Sequence, residues 1–194
     1  RAWIDNFEKY AKVMDDFKKI AADFCHGPYH VVAFSHGGCA VIQRQLEGDE
    51  EFFDKTVLVA PLVRPVQWKK ARASYRFYML YKKDIDRHSH KSTLEQDLSD
   101  FKKKDFMNPD KLPLMWVRAL DKWNRHVTAL PPCSEKILVI QGDADATVDW
   151  KYNTSFLDEK FDAGTVMIEG GKHELFEDAD EIRSKVFGEI KSYL

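Results

Sequence analysis

The stretch VVAFSHGGCAVI, residues 31–42, decides the fold. Its first four residues form a short apolar run bounded by turn residues, which is typical of a buried strand in a parallel sheet. The turn SHGG follows at residues 35–38, and residues 39–46 have the length and spacing of a helix. The pattern therefore predicts a strand that turns sharply into a helix at a serine.

Three further apolar runs predict strands of the same sheet, because each is apolar on both faces, as parallel sheets require. They lie at residues 56–61, 136–142 and 165–168. Apolar residues at spacings of three and four predict amphipathic helices between or beside them. These helices lie at residues 2–24, 151–161 and 181–194. Strands that alternate with helices indicate an α/β protein with a mostly parallel sheet flanked by helices.

One long segment interrupts this alternation. It is rich in Lys, Trp and Tyr, and no strand comparable to the others is expected in it. Helical spacing appears near residues 77–90, 93–104 and 110–127. A chain of 194 residues has the size of one domain. We therefore predict one domain whose core is formed by residues 1–63 and 134–194, with a helical insertion at residues 64–133.

The composition excludes several classes of protein. The chain has 44% hydrophobic residues, and 30 Lys and Arg against 32 Asp and Glu give a net charge of −2. These values exclude a disordered tail and a nucleic-acid binder of strongly basic type. Cys25, Cys39 and Cys133 are widely spaced, which predicts neither a disulfide framework nor a thiolate zinc site and favours a reducing, cytoplasmic location.

Ser35 has the sequence context of a nucleophile elbow. In such an elbow the serine hydroxyl projects from a strained turn, and the residues two before and two after are small to avoid collisions. Ala33 and Gly37 occupy those positions, and Gly38 follows. The alternative from this stretch alone is a serine that caps the helix.

A serine nucleophile needs an imidazole to accept its proton and a carboxylate to orient that imidazole. Residues 142–148, GDADATV, offer carboxylates just after the third strand, and residues 170–174, GGKHE, offer a histidine just after the fourth. Both lie where open α/β sheets place their sites, beyond the carboxyl ends of the strands. The order Ser35, Asp145, His173 is the order of an α/β-hydrolase triad.

Other interpretations of these residues stay open. Asp143 is an alternative acid, and both aspartates suit a calcium loop or plain turn chemistry. The further oxygen ligands and terminal glutamate of an EF-hand are missing from this stretch. His173 has a simple surface histidine as its alternative.

Taken together, these motifs resemble those of the α/β-hydrolases. QGDAD at 141–145 and KHELFE at 172–177 are similar to motifs of the lysophospholipase and monoacylglycerol lipase group. The resemblance implies Ser35 as nucleophile, Asp145 as orienting acid, since that family places the acid three residues after the glycine, and His173 as general base and acid.

The resemblance also implies an activity. It points to a serine carboxylester hydrolase that acts on lysophospholipid or monoacylglycerol-like esters through an acyl-enzyme, without cofactor or metal. Residues 64–133 stand in the place of that family's cap. The rival hypotheses are a non-catalytic hydrolase-like scaffold and a hydrolase of a different ester or amide.

The oxyanion hole is only partly represented in this sequence. The backbone N–H after the nucleophile, that of His36, is one expected donor, and the second comes from a loop after an earlier strand. His26-Gly27 lies directly before the nucleophile strand and is no substitute. We therefore expect these residues to be about the C-terminal two-thirds of a hydrolase, with a preceding segment of the same protein completing the sheet.

The first part of the insertion is locally basic. Residues 64–91 contain nine Lys or Arg and two acids, a balance of +7, with aromatic residues interleaved. This pattern suits a peripheral contact with an anionic membrane surface, and equally a solvated helix face whose aromatics pack on the core. A nucleic-acid partner is disfavoured. A metal site at His88 and His90 is also disfavoured, because a His-x-His pair shares a side only in a strand and this segment is expected to be helical or a loop.

Overall fold

The computed structural model describes residues 4–48, 52–78, 80, 84–86 and 111–194. The described helices are α1 (Glu8–Ala22), α2 (Gly37–Glu47), α3 (Trp68–Tyr78), α4 (Leu114–Ala129), α5 (Trp150–Lys160) and α6 (Asp180–Tyr193). The described strands are β1 (His30–Phe34), β2 (Lys55–Val59), β3 (Asp84–Asp86), β4 (Lys111–Pro113), β5 (Lys136–Gly142) and β6 (Asp162–Ile168). A single 3₁₀ turn covers Leu175–Glu177.

Four of these strands form one parallel sheet in the order β1-β2-β5-β6. One row across it runs from Val32 through Val57 and Leu138 to Gly164. Since all four strands run in the same direction, their carboxyl ends lie at one edge. The predicted α/β architecture with a mostly parallel sheet is confirmed.

The central and outer strands differ in burial. Val57, Leu58 and Val59 of β2 are fully buried, as an apolar strand covered on both faces should be. We expected β1 to be buried as well, but only Ala33 is, and Val32 is 42% exposed. β1 is more exposed because it is an edge strand among the strands that the structure describes.

The insertion differs in part from the sequence prediction. The helix expected near residues 77–90 is wrong in its position: α3 ends at Tyr78, and β3 pairs antiparallel with β4, with Ile85 opposite Leu112. The helix expected at 110–127 is α4, which begins only at Leu114 because Pro113 has extended backbone and favours extended backbone in the residue before it. The helix expected at 93–104 and the pair His88 and His90 lie outside the described residues.

Helix α4 belongs to the main hydrophobic core. Its Leu120, Trp123 and Val127 are buried in the same cluster as Ile42 of α2 and Val139 of β5. The insertion therefore shares its core with the rest of the domain, and the boundaries predicted at 63/64 and 133/134 remain a prediction.

Helix α1 packs on α2 through only one of its apolar faces. Phe7, at the start of the helix, and Ala11 are buried. A second row along the same helix stays exposed by 57–85%. This row consists of Val13, Phe17 and Ile20, and it continues just past the end of the helix at Phe24. In the part of the chain that the structure describes, every helix is too short or too polar to cross a bilayer.

Candidate active site

Ser35 lies on a strained turn between β1 and α2. Its φ angle is +48°, a left-handed conformation that non-glycine residues adopt rarely and that a nucleophile elbow requires. The turn is fixed by its backbone: the Ser35 N–H donates to the Val59 carbonyl at 2.9 Å, and the Ser35 carbonyl accepts from Gly38 and Leu62, both at 3.0 Å. The neighbouring strand β2 and the segment that follows it thus hold the elbow in place.

The two glycines of the elbow have different packing. A Cβ added at Gly38 would lie 3.2 Å from the Cβ of Pro61, tighter than an ordinary contact. A Cβ added at Gly37 would lie 4.0 Å from the Cβ of Ala33, which is ordinary van der Waals distance. The collision expected at Gly37 is therefore absent, and the closer approach is at Gly38.

Three side chains form a continuous hydrogen-bonded chain. The Oγ of Ser35 lies 2.8 Å from Nε2 of His173, and Nδ1 of the same imidazole lies 2.8 Å from Oδ2 of Asp145. With the carboxylate ionised, Nδ1 keeps the proton and donates a hydrogen bond to Asp145. Nε2 is then the acceptor for the serine hydroxyl. Helix α2 receives no side-chain cap, so the Ser35 hydroxyl contacts the imidazole instead of capping the helix.

Asp145 is buried but well supplied with donors. Its Oδ1 accepts from the backbone N–H groups of Thr147 at 2.8 Å and Val148 at 3.0 Å, and its Oδ2 accepts from the Gln141 amide at 3.1 Å. Burial raises the pKa of this carboxyl, but the hydrogen bond and charge of His173 and the two N–H groups outweigh it and lower the pKa overall. The group therefore stays ionised and acceptor-only near neutral pH.

The topology explains why residues so far apart in sequence meet. Ser35 follows β1, Asp145 follows β5 and His173 follows β6, and the carboxyl ends of these parallel strands share one edge of the sheet. Asp143, the alternative acid, does not contact the imidazole. Its Oδ1 accepts from the Gly170 N–H at 2.7 Å.

The ring of His36 has surroundings that the sequence did not reveal. It packs against the rings of Phe7, Tyr10 and Trp116, with centroid separations of 4.8, 4.9 and 5.5 Å. Burial lowers the pKa of His36 from 6.5 to about 4, so the ring is neutral near pH 7. Its Nε2 is buried and has no hydrogen-bond partner among the described residues. The spacing of Phe7 and Tyr10 at the start of α1 is the sequence signal that could have indicated this packing.

The backbone of His36 carries the expected oxyanion donor. Its N–H donates to no atom of the described ranges, so it is available to a ligand. His26 and Gly27 precede the amino end of β1, whereas Ser35 follows its carboxyl end, which keeps them away from the site. The second donor remains a prediction.

Other reactive groups do not compete with this site. Cys39 is buried, its thiol donates to the Leu62 carbonyl at 3.1 Å, and burial raises its pKa. Among the residues whose placement is described, no three His, Cys, Asp or Glu side chains are grouped closely enough to hold a metal ion.

The parallel sheet, the strained elbow after β1, and the acid and histidine after β5 and β6 define the class of protein as an α/β-hydrolase. The family profile described as serine aminopeptidase, S33, matches residues 1–180. The chain belongs to this hydrolase family.

Solved structures with the same fold include lipases and esterases. The monoacylglycerol lipase of Paleococcus ferrophilus superposes with a TM-score of 0.69 at 14% identity, over 95% of this chain and 76% of the other. The monoglyceride lipase of Saccharomyces cerevisiae gives 0.70 at 14% identity, over 96% and 67%. An esterase from Exiguobacterium antarcticum gives 0.62 at 13% identity, over 95% and 73%.

The chain thus spans 67–76% of the length of these three proteins. No curated protein sequence matches it significantly. The resemblance to the α/β-hydrolases inferred from the motifs is confirmed by the family and the fold.

Proposed function

We propose that this chain is a serine hydrolase of carboxylic esters, with Ser35 as nucleophile, His173 as general base and acid, and Asp145 as the orienting acid. One observation carries the proposal: the unbroken chain of two 2.8 Å hydrogen bonds from Ser35 through His173 to Asp145. This is the arrangement that activates a serine hydroxyl at neutral pH.

In the acylation step, the Oγ of Ser35 attacks the ester carbonyl carbon while its proton passes to Nε2 of His173. The carbonyl oxygen becomes an oxyanion beside the backbone N–H of His36, and Asp145 stabilises the imidazolium that has formed. The tetrahedral intermediate then collapses. The bond to the leaving alcohol breaks, and the alcohol takes the proton from the imidazolium.

Deacylation repeats the same steps with water. His173, neutral again, accepts a proton from a water molecule as its oxygen attacks the acyl carbon of the serine ester. When this second intermediate collapses, the bond between the acyl carbon and Ser35 Oγ breaks, and the imidazolium of His173 returns the proton to Ser35 Oγ. The carboxylic acid leaves and the enzyme is restored.

For the substrate class we propose monoacyl lipid esters, monoacylglycerols or lysophospholipids. Two observations support this choice: the motifs at 141–145 and 172–177 resemble those of that group, and two proteins of the same fold are described as monoacylglycerol and monoglyceride lipases. The name of the family points to a peptidase activity, so amide substrates belong in the test.

The decisive experiment is labelling with a fluorophosphonate probe, which reacts with activated serines. We expect labelling of the wild-type chain, loss of labelling in Ser35→Ala, and unchanged labelling in Ser155→Ala, whose hydroxyl lies on the exposed face of α5. Hydrolysis of a monoacylglycerol, a lysophosphatidylcholine and an amino-acid anilide then separates the substrate classes. Equal labelling of wild type and Ser35→Ala would contradict the proposed nucleophile.

The rival function is a hydrolase-like scaffold without catalysis. It is favoured by the oxyanion hole, for which only the His36 N–H has been identified in the described part of the chain. A folded protein that takes up no probe and hydrolyses none of the esters would support it.

We further propose that the outer face of α3 contacts anionic membranes. Lys69, Lys70 and, at 63%, Phe77 are exposed on this helix, and Leu80 just beyond its end is 73% exposed. This combination suits the headgroup region of a bilayer. Other aromatics of this segment, Trp68 and Tyr75, are buried and pack on the core.

Vesicle sedimentation tests the membrane contact. Binding to vesicles with phosphatidylglycerol should exceed binding to pure phosphatidylcholine, and Lys69→Glu with Lys70→Glu should remove the difference. The control is Lys151→Glu with Lys185→Glu, on α5 and α6. Equal binding to both vesicle types would argue for a merely solvated helix face.

A further inference from the structure

The loop that carries His173 is held at two places outside the hydrogen-bonded chain. On one side, Oδ1 of Asp143 accepts the Gly170 N–H at 2.7 Å, and the Ala144 N–H donates to the Gly171 carbonyl at 3.0 Å. These contacts join the end of β5 to the segment just before the histidine.

On the other side, a buried carboxylate holds the residue next to His173. Asp178 is 4% exposed, and its Oδ2 accepts the Lys172 N–H at 3.1 Å. Its Oδ1 accepts the Ala179 N–H at 2.8 Å, which fixes the carboxylate at the start of α6. The histidine backbone is thus tied to β5 through one aspartate and to α6 through another.

We infer that Asp143 and Asp178 are positioning residues, which hold the His173 loop so that its imidazole stays within hydrogen-bond distance of both Ser35 and Asp145. The inference rests on the proposed function. Each carboxylate reaches the histidine loop through a backbone N–H, Asp143 through that of Gly170 and Asp178 through that of Lys172.

The physical reason is the sensitivity of proton transfer to geometry. A displacement of about 1 Å in a catalytic group costs on the order of 100-fold in rate. Hydrogen bonds to ionised carboxylates are roughly twice as strong as neutral ones, so two of them restrict a loop that contains the glycine pair Gly170-Gly171. An asparagine keeps an oxygen acceptor of the same reach, whereas an alanine removes it.

The test compares four variants of the full chain: Asp143→Ala, Asp143→Asn, Asp178→Ala and Asp178→Asn. For each alanine variant we expect kcat for ester hydrolysis, and the rate of fluorophosphonate labelling, to fall about 10- to 100-fold with little change in KM. The asparagine variants should recover most of the loss. Glu169→Ala is the matched control, since this exposed carboxylate of the same loop accepts no hydrogen bond from the described residues.

A proton NMR spectrum adds a direct readout. The Nδ1 proton shared with Asp145 should give a downfield signal in the wild type, which broadens or disappears in the alanine variants and returns in the asparagine variants. A loss of stability alone would not move kcat at temperatures where each variant is folded, so unfolding curves accompany the kinetics. If Asp178→Ala does not fold, the kinetics of Asp143→Ala, Asp143→Asn and Asp178→Asn still test the inference.

The outcomes separate the two hypotheses. Wild-type labelling that Ser35→Ala abolishes, together with unchanged kcat in Asp143→Ala and Asp178→Ala, would overturn the positioning inference and leave the proposed function intact. Equal losses in the alanine and asparagine variants would also overturn it. A wild type that takes up no probe would reject the proposed function itself.

Discussion

At residue 142 the chain has no room for a side chain. A Cβ there would lie 2.1 Å from the Gly171 carbonyl oxygen and 2.9 Å from the Lys172 carbonyl oxygen, both backbone atoms of the loop that carries His173. Glycine therefore allows the end of β5 and the histidine loop to approach each other. The distance between Asp145 and His173 depends on this approach.

We predict that Gly142→Ala separates the two loops. It should destabilise the protein by about 1–3 kcal/mol, the usual cost of overpacking, and abolish probe labelling of Ser35. Gly188→Ala is the control, because nothing lies within 4 Å of a Cβ at that site in α6, and it should stabilise the helix by roughly 0.5–1 kcal/mol. Urea unfolding and labelling check both, and full labelling of Gly142→Ala would refute the close approach.

His36 makes stability depend on pH. Its pKa is about 4 in the folded protein and 6.5 without burial. The unfolded chain therefore binds a proton near pH 6.5, whereas the folded chain binds it only near pH 4. Stability is fully present above pH 6.5 and is lost as the pH falls towards 4, by roughly 3 kcal/mol from this residue.

The prediction is a flatter pH profile in His36→Phe, which keeps an aromatic ring between Phe7, Tyr10 and Trp116 but cannot be protonated. The free energy of unfolding, measured by urea denaturation from pH 7 to 4, should decrease less steeply than in the wild type. His30→Gln, at an exposed site on β1, should follow the wild-type curve. Parallel slopes for wild type and His36→Phe would show that the ring is not desolvated.

At the scale of elements, Asp121 holds α3 against α4. Its carboxylate is 1% exposed, forms ion pairs with Arg72 Nε at 2.7 Å and Arg125 Nη2 at 3.0 Å, and accepts a hydrogen bond from the Tyr75 hydroxyl at 3.3 Å. Arg72 and Tyr75 belong to α3, whereas Asp121 and Arg125 belong to α4. The buried carboxylate is thus a polar link between the two helices.

We predict that Asp121→Ala loosens α3. The variant leaves the Tyr75 hydroxyl without its buried acceptor, which costs about 1–3 kcal/mol, and amide hydrogen exchange should accelerate throughout α3. Lys122→Met removes the neighbouring exposed pair with Glu8, whose side chains are 59% and 54% exposed, and should change stability by only about 0–1 kcal/mol. Unchanged exchange in α3 would show that apolar packing alone holds the helix.

Sequence patterns predicted the elements that bury long apolar runs, and they missed those that depend on neighbours. β2 and β5 were recognisable because both of their faces are covered. The strand β3 could not be recognised, because its three residues, Asp84-Ile85-Asp86, are too few to show alternation. It forms only by pairing with β4. The start of α4 could have been placed better from Pro113 alone.

The candidate site shows the same division. The motifs and chain order were enough to select Ser35, Asp145 and His173 as partners. What they could not give is the contact of Asp178 with Lys172 or the ring packing around His36, because both depend on where α6 and α1 lie in space. Only the three-dimensional structure shows which of Asp143 and Asp145 contacts the imidazole, since each is a carboxylate just after the same strand.

At the scale of the whole molecule, helix α1 and the edge strand β1 both expose large apolar side chains. Val13, Phe17 and Ile20 of α1 and Phe24 just after it are 57–85% exposed, and Val32 of β1 is 42% exposed. In the described part of the chain, β1 pairs only with β2, so its other edge offers unpaired backbone groups. Open edges beside apolar patches are prone to association.

We expect another polypeptide segment to cover this side in the working enzyme, and we predict that the 194-residue chain on its own self-associates through it. Phe17→Glu combined with Phe24→Glu places two charges in the apolar row. The double variant should lower the sedimentation-velocity average mass at micromolar concentration towards that of a monomer. Phe187→Glu, at a Phe on α6 that is 54% accessible and packs against Phe176, should leave the association unchanged. A wild-type chain that sediments as a monomer at all concentrations would contradict the prediction, because an uncovered edge and apolar row of this size should not stay unpaired in water.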